Sequence, residues 1–454
     1  MKRRQFIRAS AVLAAATALP ACGTDAQPSD EAPAAPANLR TAHIGVGNMG
    51  LEDLKATAAH PRVRVTALCD VDANHLAAAH ALFPEAKTYK DYRVMLAELD
   101  DELDAVVVST PDHTHAPASL AAMKRGKHVY CQKPLAHHVS EVRAMRRMAE
   151  EKSLTTQMGI QVHSFYDYKL GTELIRDGIV GKVSTVYAWS PKNWGYDGPE
   201  PTGEDPVPDT LDWNLWLGTS AARPYQRDLY HPMNWRKLVD YGCGTLGDMG
   251  VHIFDTPYNA LELDVPTTVR TECRPPNGFG FPEHNVVTYT FPTTPYTTDG
   301  FRWVWFDGPG APPDLPELAL PNGDPLPEQG ALFVGERGTL LLPHFMELPR
   351  KFVDGQYVDI AGDVARVERE QEIPPAVRDY ERESPKHYHQ FVDACLGEGE
   401  PTAPFRYGAR LTETILLGTI AGRFPGRTLA WDAERGAFAQ DEANGWLAGA
   451  YRAF

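Results

Sequence analysis

The sequence is poor in the features that would give its class away at once. Six cysteines among 454 residues stand at no CxxC spacing, which excludes a zinc ribbon and, in so long a chain, a disulfide-built scaffold. No uncharged apolar run reaches the ~18 residues that a membrane-spanning helix needs. Positive charge is in deficit: 44 Lys and Arg against 60 Asp and Glu leave a net charge of −16, so nucleic acid and anionic membrane surfaces are repelled overall. A neutral small molecule suits such a chain better as a partner. Internal repeats and low-complexity tracts are also missing from its body. What is there is an ordinary globular composition, 43% hydrophobic and 23% charged, at a length that predicts two domains with a substantial core.

Residues 1–22, MKRRQFIRASAVLAAATALPAC, form an address rather than structure. A basic start precedes a 13-residue uncharged run, Ala9 to Ala21, too short to span a bilayer and right for a signal segment. Arg3 and Arg4 before Gln5 and Phe6 resemble a twin-arginine export signal, and Leu19-Pro20-Ala21-Cys22 resembles a lipoprotein cleavage box. The expectation is export by the twin-arginine machinery to the periplasm or cell envelope, with Cys22 as a lipid anchor. Cleavage before Cys22 removes Lys2, Arg3, Arg4 and Arg8 and takes the charge from −16 to −20. Residues 23–39, with Pro28, Pro33 and Pro36 among small and acidic residues, read as a disordered tether. Five cysteines remain, an odd number, and export in the folded state favours reduced thiols.

From Arg40 onward short apolar runs alternate with helical stretches: HIGVG, VRVTALCD, DAVVVST and KHVYC are strands, and helices fall between them, the last over Val139–Glu151. This predicts a doubly wound parallel sheet over 40–152. At the exit of its first strand Gly45, Gly47 and Gly50 form GxGxxG, and Asp70 ends the second strand. Gly45 permits the tight turn, Gly47 lets backbone approach a pyrophosphate, and Gly50 lets helix and sheet pack closely. The helix N-terminus beside Asn48 and Met49 offers unpaired N–H groups to the anion. Asp70 is placed to accept hydrogen bonds from the adenosine ribose and to repel a 2′-phosphate, so NAD is expected rather than NADP.

Ligands of an open parallel sheet sit beyond the carboxyl ends of its strands. Thr110, Pro111, His113 and His115 at one strand end, and Gln132 and Lys133 at another, are therefore expected to face the cofactor. His113 and His115, with His137, His138 and His163, lack the carboxylate or thiolate spacing of a metal site, so no metal is expected.

The second domain is expected over 153–454. TTQMGI and VSTVYAW read as strands flanking a helix near Tyr166, and TTVRTEC, NVVTYTF and FRWVWF alternate as strands of an antiparallel sheet. A Pro/Gly-rich passage from Trp189 to Tyr241 holds five of the nine tryptophans, and loops of that length are usually functional. Its Tyr230 and Trp235, with His163 and Tyr166, are candidate sugar-facing residues. Asp248, His252 and Asp255 stand at i, i+4 and i+7 on a predicted helix, presenting acid, imidazole and acid on one face. Imidazole is the natural proton acceptor near neutral pH, and Asp255 is placed to orient the His252 ring. Helices are expected at Lys386–Leu396 and Arg406–Phe424, then an irregular tail.

The set GVGNMG, ALCDVD, STPDHTH, CQKPL and GDMGVH resembles the Gfo/Idh/MocA family of glucose-fructose oxidoreductase and inositol dehydrogenase over about residues 40–425. The resemblance implies a Rossmann domain followed by an α/β domain whose open, mainly antiparallel sheet carries the substrate and forms a homo-oligomer interface. It implies that Lys133 contacts the reacting hydroxyl, and that Asp248 and His252 match the family's catalytic acid and histidine. His252 would take the hydroxyl proton as hydride leaves carbon. The family's Glu-Lys-Pro is Gln132-Lys133-Pro134 here, so the lysine is kept and the acid is not. The leading expectation is an exported oxidoreductase for a sugar or sugar-derived polyol, with tightly bound NAD regenerated by a second substrate. The alternative is a redox-neutral NAD-dependent glycoside hydrolase that oxidises C3, eliminates the aglycone after loss of the C2 proton, adds water and reduces back. His163, Tyr166 and Tyr230 are candidates for its additional acid or base. A third reading is a sugar-binding relative that has lost catalysis, motivated by Gln132.

Overall fold

A computed structural model describes residues 39–374 and 376–454. The expected signal segment with Cys22, and the expected tether up to residue 38, lie outside the described residues. Leu39, placed by sequence at the end of the tether, already opens the first strand.

Six strands, β1 (Leu39–Ile44), β2 (Val63–Cys69), β3 (Lys87–Tyr89), β4 (Ala105–Val108), β5 (His128–Gln132) and β6 (Thr156–Gly159), alternate with α1 (Met49–Ala58), α2 (Ala73–Leu82), α3 (Tyr92–Glu98), α4 (Asp112–Lys124) and α5 (Val139–Glu151). The sheet order is β3-β2-β1-β4-β5-β6 and every pair is parallel. Helices cover both faces, which is why β4 reads as the unbroken apolar run AVVV and is buried at all four positions. The strand order reverses between β1 and β4, so a crevice opens above their carboxyl ends.

Two features correct the expected boundary at residue 152. Strand β6, assigned by sequence to the second domain, pairs in parallel with β5 as the sixth strand of this sheet. A helix from far along the chain, Tyr380–Cys395, also packs here: Tyr388, Phe391 and Val392 join Leu39, Val107 and Tyr130 in one buried cluster.

After α6 (Tyr166–Arg176), the second sheet is built from β7 (Val183–Ser190), β8 (Thr268–Glu272), β9 (Asn285–Thr290), β10 (Thr297–Asp307), β11 (Gly330–Gly335), β12 (Gly338–Pro343), β13 (Arg350–Val353), β14 (Gln356–Val358), β15 (Thr428–Asp432) and β16 (Ala437–Phe438). Its order is β14-β13-β12-β11-β7-β10-β9-β8-β15-β16, antiparallel throughout except for β7 with β10. The helices of this half are α7 (Trp213–Leu217), α8 (Val251–Ala260), α9 (Ala361–Glu370), α10 (Tyr380–Cys395), α11 (Phe405–Ala421) and α12 (Asp441–Asn444). One sheet face packs Trp303 and Trp305 against Phe254 of α8, whose ring stacks on Trp303 at 4.0 Å. On the other face Leu318 and Leu320 cover Trp189 and Phe306.

The tail beyond Phe424 is not irregular. β15 pairs with β8, and β16 closes a hairpin on it. The hairpin β13–β14 turns on Asp354-Gly355, both at positive φ, the conformation that Asp-Gly supplies between short strands.

Candidate active site

A cavity of about 660 Å³ runs from the β1–α1 turn to the ends of β5 and α8. At one end Gly45, Gly47, Asn48 and Met49 line it. Gly45 has φ +81°, and a Cβ there would stand 2.7 Å from the Ser109 carbonyl oxygen. Gly50 lies beneath the turn, where a Cβ would come within 2.1 Å of the Gly45 carbonyl, so its part is helix-to-strand packing. Asn48 makes no side-chain cap to α1, which leaves the first N–H groups of that helix for an anion. These residues fit a dinucleotide.

Asp70, at the end of β2, accepts the Val46 N–H at 2.8 Å and the Asp72 N–H at 2.9 Å. His75 Nδ1 is 3.7 Å from the same carboxylate, which raises the imidazole above its ordinary pKa. His75 carries no motif in the sequence, and its ring occupies the space a Gly47 side chain would need. A strap from the second half closes this end. Thr210 O accepts the Ala73 N–H at 2.8 Å, Val71 O accepts the Asp212 N–H at 2.9 Å, and His231 Nε2 lies 2.9 Å from Asp72 Oδ2. Asp72, His75 and His231 are close enough to share an ion. Asp72 is, however, already engaged, by His231 and by the Asn74 N–H that it caps at the start of α2.

At the other end Lys133, Asp248 and His252 converge. Lys133 Nζ donates to Asp248 Oδ1 at 2.9 Å and to the Asp248 carbonyl at 2.8 Å, and Arg236 Nε donates to the same Oδ1 at 3.3 Å. Burial alone would raise the Asp248 carboxyl, but Lys133 and then Arg236 hold it well below the usual carboxylate range. Burial, reinforced by Lys133 and His344, pushes the His252 imidazole down, so it is neutral and able to accept a proton. Asp112, also on the cavity wall, is pushed up to about 7 by burial against the pull of Arg236 and Lys133.

The helix phase expected around His252 is corrected. Leu246–Gly250 forms a π-helical turn before α8 begins at Val251, a device common at functional sites. Asp255 is turned away from His252. It accepts from Tyr407 OH at 2.6 Å and lies 2.9 Å from His163 Nδ1. Neither Asp248 nor Asp255 hydrogen-bonds the His252 ring, whose Nδ1 has no partner among the described residues.

Gln132 has a different task from the acid it replaces. Its Nε2 donates to both oxygens of Asp53 at 3.0 Å, beside Ser109 Oγ at 2.5 Å and Tyr388 OH at 2.6 Å. Burial pushes Asp53 up to about 6. The negative charge facing Lys133 therefore comes from Asp248.

Thr110, Pro111, His115, Trp235 and Gln132 also line the cavity. His115 is held between the Thr110 and Pro134 carbonyls, 2.8 Å from each, and so ties two strand ends together. Trp235 carries the Arg236 guanidinium 4.2 Å above its ring. Four expected residues lie elsewhere. His113 is buried against Trp216 and Tyr241, with Nε2 3.0 Å from the Trp216 carbonyl. Tyr230 is buried in the same aromatic cluster, Tyr166 donates to Glu368 at 2.5 Å at a separate hollow, and His163 is engaged by Asp255. Two cavity residues had no sequence signal beyond their type: Arg236, and His344 just past β12. The His344 ring lies 6.1 Å from that of His252, Tyr168 OH holds its Nδ1, and burial pushes it down to about 3.

Comparison with known proteins agrees with this architecture. Residues 39–160 match an oxidoreductase family's NAD-binding Rossmann fold, residues 174–297 match the C-terminal alpha/beta domain of the same family, and residues 1–20 match a twin-arginine translocation signal sequence. The glycosyl hydrolase family 109 protein 2 of Shewanella sp. (strain ANA-3) is 30% identical over 202 residues, 40% of this chain and 44% of that protein. The levoglucosan dehydrogenase of Pseudarthrobacter phenanthrenivorans is 24% identical over 226 residues, 48% of this chain and 50% of that one. The chain thus spans about half the length of the curated relatives it matches. Aldose-aldose oxidoreductase from Caulobacter crescentus, solved with glycerol, superposes with a TM-score of 0.58 at 17% identity, covering 87% of this chain and 99% of that one. Among the described residues no helix is long and apolar enough to cross a membrane.

Proposed function

The chain belongs to the Gfo/Idh/MocA oxidoreductase family, and from that premise we propose that it moves hydride between a sugar or sugar-derived polyol and a tightly held NAD. The observation that carries this reading is the Lys133–Asp248–Arg236 ion cluster beside neutral His252, on the same cavity as the phosphate-binding turn. Bound NAD supplies the hydride acceptor. Lys133 donates a hydrogen bond to the reacting hydroxyl oxygen, held in place by Asp248, and His252 removes the hydroxyl proton as the carbon is oxidised. Because Asp248 provides the charge that Gln132 lacks, the motive for a non-catalytic binder falls away.

We infer as well that the mature protein is periplasmic, anchored through Cys22, and assembled through its second sheet. The signal match supports export, the residues before Cys22 support the anchor, and half-buried Tyr187, Val286 and Phe352 on the outer sheet face support the contact. The strap over the adenosine end supports retention of NAD during export in the folded state.

A second reading, the NAD-dependent glycoside hydrolase, draws on His344. It stands beside His252 where a second proton-transfer group would be needed, whereas His163, Tyr166 and Tyr230 do not line the cavity. The experiment uses protein purified without added cofactor: the bound nucleotide is identified, and the holoenzyme is then given free sugars and aryl glycosides. Reduction of bound NAD by a free sugar, without aglycone release from any glycoside, establishes the oxidoreductase. Aglycone release without net change in NAD establishes the hydrolase, and neither response from any carbohydrate rejects both.

A further inference from the structure

Beyond the catalytic end the cavity continues along a row of rings that oxidation of a free sugar leaves unused. His344 follows His252 at 6.1 Å between ring centroids, Phe345 follows His344 at 5.2 Å, and Tyr380 follows Phe345 at 6.0 Å. Buried Phe165 backs the last two, 5.8 Å from Phe345 and 5.9 Å from Tyr380. All five rings line the cavity, yet Phe345 and Tyr380 are 39% and 44% exposed. The two outer rings come from different elements, the loop after β12 and the first residue of α10, and meet nearly edge to face. A pair so arranged offers flat apolar surface to whatever extends outward from His252. Pyranose rings have an apolar C–H face, and aromatic groups stack or pack edge-on.

We propose that Phe345 and Tyr380 form a subsite for the group joined to the reacting sugar, so that the substrate is a glycoside whose second ring lies on this shelf. The proposal rests on the reading that the catalytic end takes a sugar. It holds whether the reaction stops at oxidation or proceeds to loss of the aglycone, since in both the second ring is present when the first is bound. The shelf lies past His344 on the exposed side of the cavity, the side on which a ring linked to the one being oxidised would extend. Its rings carry no charge, which suits a neutral glycoside.

The test is equilibrium binding by calorimetry to NADH-loaded protein, using methyl and phenyl glycosides of glucose and of galactose in both anomers. At least one phenyl glycoside is expected to bind about tenfold tighter than its methyl partner, as the loss or gain of one aromatic contact is worth about that factor. That preference should fall to within about twofold in Phe345→Ala and in Tyr380→Ala, and Phe345→Trp should restore it. Both side chains are exposed, and thermal unfolding of the variants checks that the fold is kept. Equal affinities within every pair, or a preference that survives both substitutions, would overturn the shelf alone. Failure of every glycoside and free sugar to bind would overturn the sugar reading itself.

Discussion

The two ends of the cavity are held in place by different kinds of interaction. At the adenosine end the groups proposed to hold the ligand are backbone N–H groups and one carboxylate, Asp70, all on the stretch from Gly45 to Asp70, with the strap residue His231 closing over them. At the catalytic end Lys133, Arg236, the pair Asp248 and His252, and His344 come from four separate segments. The carboxyl of Asp248 and the imidazoles of His252 and His344 are tuned by burial and by the neighbouring cations. The first end is a property of a short stretch of chain, whereas the second exists only when the two sheets have come together. Substitutions at the two ends should accordingly separate cofactor retention from turnover.

The largest effect tests that separation directly. His252→Ala and Lys133→Ala remove the proposed proton acceptor and its partner, and each should lower turnover about 10³-fold, within the range for a positioned acid–base group. Bound nucleotide, measured after release by heat, should stay at the wild-type level. Loss of nucleotide along with activity would mean that the ends are one unit.

Gln132 stands between the ends and gives the next effect. Gln132→Glu places a second carboxyl against buried Asp53, which is already pushed up to about 6. Like charges in contact raise the shared pKa further. A raised folded-state pKa means that the folded protein keeps a proton the unfolded chain releases near pH 4, so the variant loses stability as pH rises. Urea unfolding should find it close to wild type near pH 4 and about 3 kcal/mol less stable at pH 8. Asp53→Asn combined with Gln132→Glu exchanges the partners and should recover most of the difference. An unchanged pH profile in the single variant would show that the Gln132–Asp53 contact does not organise this region.

The same contrast governs what could be read in the sequence. GxGxxG and Asp70 are legible because their spacing encodes backbone geometry, which a short segment carries with it. Lys133, Asp248 and His252 were reachable by family motif. The orientation of Asp255 was not, because residues three apart on α8 stand about 60° apart around the axis, and His163 and Tyr407, distant in sequence, hold its carboxylate away from His252. His344 and Arg236 carry no local pattern, and their place follows from how the second sheet and the long loop pack. His113 shows that a strand-end position does not fix a cavity position: aromatic packing by Trp216 and Tyr241 draws its ring inward. The places of β6 and α10 have a related cause: long-range pairing and packing, not composition, join them to the first sheet.

Two smaller effects sharpen the adenosine end. Asp70→Asn removes the charged acceptor proposed for the ribose hydroxyls, and NAD should bind about 30-fold more weakly, as expected for hydrogen bonds to a charged group. His231→Ala cuts only the side-chain tie between the strap and Asp72, and the backbone bridges at Ala73 and Asp212 remain. One side-chain hydrogen bond is worth about 1 kcal/mol, so release of NAD, followed by transfer to an excess of a scavenging dehydrogenase, should quicken by only about fivefold. Affinity for a free adenine nucleotide should change by the same factor or less, because the strap closes over the site without supplying its donors. If release quickened as much as in Asp70→Asn, the strap would be part of the binding site itself, and the adenosine end would depend on the second domain as heavily as the catalytic end does.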